Sequence, residues 1–569
     1  IIDQLVNLYN QKKLSTMVEQ TQSLLKKYPK SFIIWNFLGV ANIDLGRASN
    51  ATKALKKVTE LNPQYASGFS NLSVALQDES KLDEALEACK KAIILSPNLV
   101  DAHFNMGNIL RDQDKIDEAI AAYKKVILID PNYQNVYNNL GVSYYYQHNY
   151  DQAIVEYNKS LSLNFVSAEV YSNIGTSLRC LDKFDSAIES YKKANSIKPD
   201  YADAHHNLSY VLLNQGKLKE GFDEYEWRWK TTTISPYQRY FRQPLWDGKT
   251  SLNGKTILIW CEQGVGDTIM WSSRLSLIAS QAGQCILECQ DKLVPLLKRS
   301  FPNIDVRAEN RNLDQERDDF DFHLPMGNLY KHFIKEITKN TRPDAYLVPE
   351  PTRVKYWKKR LQTLGKGPYI GISWKSANMS RTRLQNYTPV SELSPILEIP
   401  NVTFINLQYS DFKDDLSKIK RDLGITVHNF DDLDHFNNID DVAALSTALD
   451  FVVSTKTTVP LISAAVGTST KLANWKQSAW NNILHNPVGP FLDILERNTL
   501  EPWSKVFNQI AEDILNHVEN KAFIKNNLTE KDKKLHQDLL QAKQELIKLK
   551  LTTLNKYQKN CTSINPPVE

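Results

Sequence analysis

Hydrophobic and polar positions follow two different rhythms, which change over near residue 250. Up to about residue 235 the rhythm is helical and repeats every 34 residues. Pro29, Pro63, Pro97, Pro131 and Pro199 share one register, with Phe165 in the missing slot. Gly39, Gly107, Gly141 and Gly175 form a second column, completed by Ser73 and Ser209. Ala51, Ala85, Ala119, Ala153 and Ala187 form a third, ending on Gly221. Small residues at two fixed sites let paired helices approach closely, and proline closes each unit after its second helix. The spacing predicts about seven helical pairs, the first truncated, over residues 1–235. Beyond 250, short β-rich runs alternate with helical ones, as in parallel βαβ units. A first half offers "TILIW" (256–260), "CILEC" (285–289), "IDVRA" (304–308) and "FDFHL" (320–324). After a break near 341–353, a second half offers "YIGISW" (369–374), "VTFINL" (402–407), "ITVHN" (425–429), "DFVVS" (450–454) and "TKLAN" (470–474).

The 34-residue period and its contents resemble tetratricopeptide repeats (TPR), which bind partners along a concave face. One polar column recurs among the packing ones: Asn71, Asn105, Asn139, Asn173 and Asn207, in "SNLS", "FNMG", "NNLG", "SNIG" and "HNLS". An amide offers donors and an acceptor, so a ladder of them suits an extended peptide backbone. Equally, each asparagine can bond a neighbouring repeat. The TPR superhelix of O-GlcNAc transferases carries a similar ladder at this "NLG" position, and that resemblance implies a protein or peptide partner.

A join separates the two regimes. "EYEWRWK" (224–230) ends the last repeat, and prolines and glycines then break the helical pattern over a linker at 236–253. Trp227, Trp229 and Trp246 are expected to pack the solenoid onto the next domain. Composition narrows the class. Hydrophobic residues at 42% with 24% charged describe a soluble globular chain, with no apolar run long enough to span a bilayer. A net charge of +4 makes no case for nucleic acid. Six scattered cysteines lack metal spacing and fit reduced thiols in the cytoplasm. The chain opens on Ile1 without methionine, which leaves room for an upstream segment.

Open α/β sheets bind ligands beyond the carboxyl ends of their strands, which directs attention to four loops. "GKTILIWCEQGVGDTIMWSSRL" (254–275), "YIGISWKSANMSRTR" (369–383), "INLQYSD" (405–411) and "DDVAALSTALDFVVSTKTTVPLISAAVG" (440–467) together resemble the heptosyltransferase-like glycosyltransferases of family 9. The resemblance implies a GT-B fold: a Rossmann-like acceptor-side domain at 254–350 and a nucleotide-sugar-binding one at 351–520. The expected class is therefore α + α/β, a TPR α-solenoid, two Rossmann-like domains and a helical tail at 521–569. The implied reaction is inverting transfer from a nucleotide-sugar co-substrate of unknown base, with no catalytic metal and no cofactor.

Such transfer needs a base for the acceptor hydroxyl and positive charge or N–H groups for the departing diphosphate. Asp267 matches the aspartate that serves as base in the family. It follows Gly264 and Gly266, which leave room for another chain, and its alternative role is to cap a helix beginning near Thr268. Glu262 is the reserve carboxylate. For the diphosphate, "STKTTV" (454–459) opens a helix and offers Lys456, Thr457 and Thr458. This chain has Lys456 where the family carries aspartate and Leu461 where it carries histidine. Ser373, Lys375, Arg381 and Arg383 form a second basic set, and the resemblance gives Gln408 a role in base or ribose recognition. The alternative is a binding scaffold whose transferase fold has lost activity, or a transferase for a cell-envelope saccharide.

Other features carry structural readings. "DFD" (319–321) imitates a metal motif but begins a strand, and "DDLDHFNNIDD" (431–441) reads as a loop and helix start rather than a calcium loop. Leu535, Leu539, Ala542, Leu546 and Leu549 follow coiled-coil spacing, which fits either a homodimer or a helix frayed in solvent.

Overall fold

A computed structural model describes residues 1–163, 167–338, 345–377, 386–476, 490–498 and 501–527, with side chains to 518. Phe165, Arg381, Arg383 and the leucine series of the tail lie outside the described residues. The first regime folds as fourteen helices, α1 (Ile2–Asn10) through α14 (Leu218–Tyr225). The alanine column is fully buried at Ala51, Ala85, Ala119, Ala153 and Ala187. The glycine column seats a large side chain from the following helix. A Cβ on Gly107 would lie 2.5 Å from Tyr123 Cε1, and one on Gly141 equally close to Tyr157 Cε1.

The turn between paired helices has its own register. Lys12, Gly46, Ser80, Asp114, His148, Asp182 and Gly216 all adopt positive φ, between 57° and 73°. They follow one another at the 34-residue spacing, yet glycine fills only two of the seven slots. Backbone bonds hold the conformation: Ser80 N–H reaches Gln77 O at 2.8 Å and Lys81 N–H reaches Leu76 O at 2.9 Å. These are the paired bonds that close a helix through a left-handed residue.

After a tight turn at Glu226–Lys230 the second regime begins. Its first sheet contains β1 (Thr256–Trp260), β2 (Gln284–Cys289), β3 (Asp305–Ala308) and β4 (Phe322–Pro325), in the order β3-β2-β1-β4. The second contains β5 (Tyr369–Ser373), β6 (Thr403–Asn406), β7 (Val427–His428), β8 (Phe451–Ser454), β9 (Ser469–Trp475) and β10 (Leu492–Arg497). Their order is β10-β9-β8-β5-β6-β7. Every strand pair with a described register is parallel. Apolar runs become the central strands because both faces are covered. Ile370, Ile372 and Val453, for example, share a core with Trp503, Phe507 and Ile510 of the helix Trp503–Asn527. β10 was not expected. Its sequence "LDILER" carries charge at three of six positions, and its burial is broken accordingly.

The chain forms two compact units, one mainly of Ile1–Val348 and one mainly of Pro349–Ala473 with the helix after 501. The solenoid and the four-stranded sheet thus share a unit. Cys89, Cys180, Cys261, Cys285 and Cys289 are buried and unpaired with one another. Among the described residues no helix is long and apolar enough to cross a membrane.

Candidate functional site

The loop after β1 leads directly into the helix α15 (Val265–Ser272), for which Gly264 is the N-cap. Asp267 is therefore the third residue of the helix and not its cap, which corrects the helix start expected near Thr268. Thr268 N–H bonds Gly264 O at 3.0 Å. The half-buried Asp267 carboxylate stands in the first turn, where the helix dipole favours negative charge. Gly264 has extended backbone, and a Cβ there would meet Asp267 Oδ2 at 3.5 Å, an ordinary contact. Clearance around Asp267 does not depend on that glycine. Gly266 lies within the helix.

Glu262 is corrected as a reserve base. It is buried, with Oε2 accepting Arg228 Nε at 2.8 Å and Oε1 accepting Gly327 N–H at 2.8 Å. Both oxygens are held inside the protein, so the carboxylate is not placed to take a proton from a ligand. Arg228 is fully buried and also donates to Asn328 Oδ1 at 2.6 Å and Glu226 Oε1 at 3.1 Å. Burial works against its charge but is outweighed by Glu262, Tyr225 and Glu226, which hold its pKa above the ordinary arginine value. Gln263, next in the loop, donates to Tyr225 Oη at 2.6 Å. Burial pushes the Tyr225 phenol up, and the charges of Glu262 and Asp267 add to the shift. Asp267 therefore lies within electrostatic reach of the solenoid's last helix.

Trp229 packs near Trp260 with centroids 5.6 Å apart, Trp246 is buried beside His332 and Phe333, and Trp227 stacks on His205 at 4.1 Å. Arg228 itself, flanked by two of these tryptophans, escaped the sequence reading. Tyr225 carried a visible signal, since it continues the 34-residue column of Tyr123, Tyr157 and Tyr191.

In the six-stranded sheet, three loops at strand carboxyl ends are bonded to one another. Gln408 Oε1 accepts the N–H of Trp374 at 2.9 Å, the N–H of Lys375 at 3.0 Å and the Ser373 hydroxyl at 3.2 Å. Its Nε2 donates to Lys375 O at 2.6 Å and Ser410 Oγ at 2.7 Å. With its amide saturated and no exposure, Gln408 shapes the loop after β5 and is not free to read a base or ribose. Ser373 is likewise buried and bonded inward. Lys375 pairs with Asp415 at 2.5 Å, and Trp374 Nε1 donates to the same oxygen. Thr455 N–H donates to Ser373 O at 3.1 Å, tying the loop after β8 to the end of β5. Thr457 Oγ1 accepts Val459 N–H at 3.3 Å, which satisfies one donor of the short helix Val459–Ala465. That leaves its N-terminus a weaker anion site than the loop's sequence suggests. Lys456 and Thr458 are half-buried beside it. The Thr455 hydroxyl is buried without a hydrogen-bond partner among the described residues.

The asparagine column turns toward the neighbouring repeat. Asn71 Nδ2 donates to Asn36 Oδ1 at 2.9 Å, Asn105 to Ser70 Oγ at 3.1 Å, Asn139 to Asn108 Oδ1 at 2.9 Å and Asn173 to Asn138 Oδ1 at 3.1 Å. The neighbour-bonding role is thus real for four of the five. Their side chains stay half-buried, and their Oδ1 atoms accept no hydrogen bond among the described residues. Asn207 makes no such inter-repeat bond among the described residues.

The acidic motifs serve the fold. Asp319 pairs with Arg307 and Arg317, and Asp321 with Lys255. Asn438 caps the helix Ile439–Ala448, and buried Asp441 accepts from Arg353 and from Trp357 Nε1.

Helical pairs at this period, with small-residue columns seating large neighbours, define a TPR solenoid. Family models described as tetratricopeptide repeat or TPR repeat match residues 33–65, 107–148, 135–164 and 177–216. Among curated proteins, Protein FlbA of Caulobacter vibrioides is 30% identical over 272 residues. The alignment covers 45% of this chain and 46% of FlbA, so the chain spans less than half of that relative's length. Similar solved structures include the APC/C hetero-tetramer Cut9–Hcn1, with a TM-score of 0.37 and 17% identity over 40% of this chain and 45% of that one. PilF of Pseudomonas aeruginosa gives a TM-score of 0.31 and 21% identity over 36% and 90% of the two chains.

Proposed function

We propose that the solenoid binds an extended polypeptide and that the α/β region transfers a sugar to it from a nucleotide-sugar donor. The observation that carries the donor half is the bonding of the loops after β5, β6 and β8 to one another. A parallel sheet offers its ligand site at that edge, where strand ends converge and backbone N–H groups face outward. Thr455, Lys456, Thr458 and Lys375 border it, and cations and amides there suit a diphosphate. Asp267 is the proposed base, since Glu262 is held by Arg228. In an inverting transfer the carboxylate takes the acceptor's hydroxyl proton while the oxygen attacks the anomeric carbon and the nucleoside diphosphate leaves. The half-buried asparagine carbonyls supply acceptors for the N–H groups of a bound peptide. Buried thiols without a disulfide among the described residues suit a reducing compartment.

A second reading is a protein-interaction scaffold without transfer. Two observations favour it: the TPR matches fall within the solenoid, and Lys375 is already paired with Asp415. One experiment separates the readings. UDP-, ADP- and GDP-sugars are screened by thermal shift and nucleotide release, with cell lysate as acceptor. Transfer predicts a donor that raises the melting temperature of both wild type and Asp267→Ala, with release lowered at least a hundredfold in the variant. No donor effect on either protein leaves the scaffold; full release by Asp267→Ala removes Asp267 as the base.

A further inference from the structure

The second helices of the solenoid carry a double column of lysines. Lys56, Lys90, Lys124 and Lys192 share one register at the 34-residue period, with Asn158 in the missing slot. Lys57, Lys91, Lys125, Lys159 and Lys193 share the next, and all nine are exposed. On α4 (Ala48–Leu61) and α6 (Leu82–Leu95) carboxylates answer them. Lys57 pairs with Glu60, Lys90 with Glu87 at 2.7 Å and Lys56 with Glu84 at 3.7 Å. On α8 (Ile116–Ile129) the same three answers are gone. Lys125 has Leu128 in the place of Glu60, and Lys124 has Ala121 in the place of Glu87 and Gln152 in the place of Glu84. On α10 (Tyr150–Ser162), Lys159 has Ser162 in the place of Glu60, and Val155 continues the Glu87 column. Lys124, Lys125 and Lys159 accordingly make no ion pair among the described residues, and Lys124 has only the ring of Tyr144, at 5.8 Å. The same replacements leave apolar surface beside these charges: Leu128 is 74% exposed and Val155 56%. Between α8 and α10 lies an open groove of about 670 Å³. It is lined by Lys124 and Ile127 of α8, Leu140 of α9 (Gln134–Tyr146), and Val155, Glu156 and Lys159 of α10. Glu156 is already engaged, accepting Gln152 Nε2 at 2.7 Å.

We infer that this groove docks an acidic segment of a partner polypeptide, with an aliphatic side chain seated between α8 and α10 and carboxylates on Lys124, Lys125 and Lys159. The partner supplies from outside what Glu60, Glu84 and Glu87 supply earlier in the array. Charge complementarity fixes the sign, because a basic segment would meet a lysine from each of the two helices. The aliphatic lining fixes the second requirement. An acidic segment without apolar side chains would leave Leu128 and Val155 in water, where burial has the most to gain. The face belongs to the second helices, whereas the asparagine column belongs to the first. The site therefore rests neither on sugar transfer nor on peptide binding by the asparagines.

The test uses the full chain and three pools of labelled peptides of equal length, compared by fluorescence anisotropy. The first is built at random from glutamate, leucine and serine, the second from glutamate and serine, and the third from lysine, leucine and serine. Wild type is expected to bind the first pool about tenfold more tightly than either other, a difference that burying one leucine or reversing the charges beside three lysines supports. Val155→Glu and Leu128→Glu should each remove that preference. Glutamate already stands in both columns, at Glu87, Glu189 and Glu60, so the fold accepts it, and an unchanged melting temperature verifies this. Lys56→Glu, on α4, should leave the preference as it is. Equal affinity for the three pools in wild type, or an undiminished preference in Val155→Glu and Leu128→Glu, overturns the site. Without a pool preference, two further measurements name what covers the face instead. Co-sedimentation with phosphatidylserine vesicles that Val155→Glu abolishes would assign it to a membrane surface. Self-association that Val155→Glu abolishes would assign it to a second copy of the chain.

Discussion

Arg228 is a full positive charge with no exposure, and its partners come from three directions: Glu226 in its own turn, Glu262 after β1 and Asn328 after β4. Its guanidinium carbon also lies 4.4 Å from the ring centroids of Tyr225 and Trp229. Removing one member of a buried ion pair strands the other, at a cost on the order of 3–5 kcal/mol. Arg228→Ala is therefore expected to destabilise the protein by about that amount, because Glu262 would keep only the Gly327 N–H and lose its countercharge. The double variant Arg228→Met with Glu262→Leu should recover most of the loss, since the one carboxylate it strands, Glu226, is partly exposed to water. Urea denaturation of the single and double variants checks both. Equal losses in the two would mean that packing, not charge, holds the join. The sequence displayed this arginine between two tryptophans, but its distant partners could not be read from it. Neither Glu262 nor Asn328 is linked to Arg228 by a period, and only folding brings the three together. Gln408 is similar, since its five bonds depend on how two loops meet.

At the level of elements, the repeat was legible because a period amplifies weak signals. One alanine or glycine says little, whereas the same residue type at five positions 34 apart defines a packing site. The left-handed turn shows where amplification failed. Its conformation repeats seven times, but lysine, serine, aspartate and histidine occupy the slot as well as glycine, so composition hides it. The glycine column is the opposite case, with residue and geometry tightly linked. Gly141→Ala would drive a methyl group against the Tyr157 ring, where the built Cβ lies 2.5 Å from Cε1. Overpacking of this kind costs about 1–3 kcal/mol. The loss should be relieved by Tyr157→Cys in the same chain, since Cys89 fills the corresponding position opposite Ser73, which already carries a Cβ. Thermal unfolding of Gly141→Ala with and without Tyr157→Cys measures the coupling; additive losses would show that the ring is not what excludes the methyl. Nine of the ten strands among the described residues could be placed from apolar runs bounded by turn residues. β10 escaped because Asp493, Glu496 and Arg497 break its pattern.

At the level of the molecule, a solenoid needs a cap, because its last repeat has no successor to cover it. Here the cap is the four-stranded sheet. Tyr225 receives Gln263, Trp229 meets Trp260, Phe222 packs near Tyr330 at 6.0 Å and Lys331 pairs with Asp223. A fragment ending at residue 235 would expose this surface and leave Arg228 with Glu226 as its remaining carboxylate partner. Because repeats couple mainly to their neighbours, the damage should stay local. Amide exchange is expected to quicken in α13 (Ala202–Asn214) and α14 of the 1–235 fragment relative to the full chain, while helices over residues 32–129 keep their protection. If α13 and α14 exchange equally slowly in both, the solenoid caps itself and the sheet is only attached to it. If protection is lost along the whole array, the repeats fold as one cooperative block and the cap stabilises all of it. The local outcome would tie the order of α13 to the same contacts that hold the loop before Asp267.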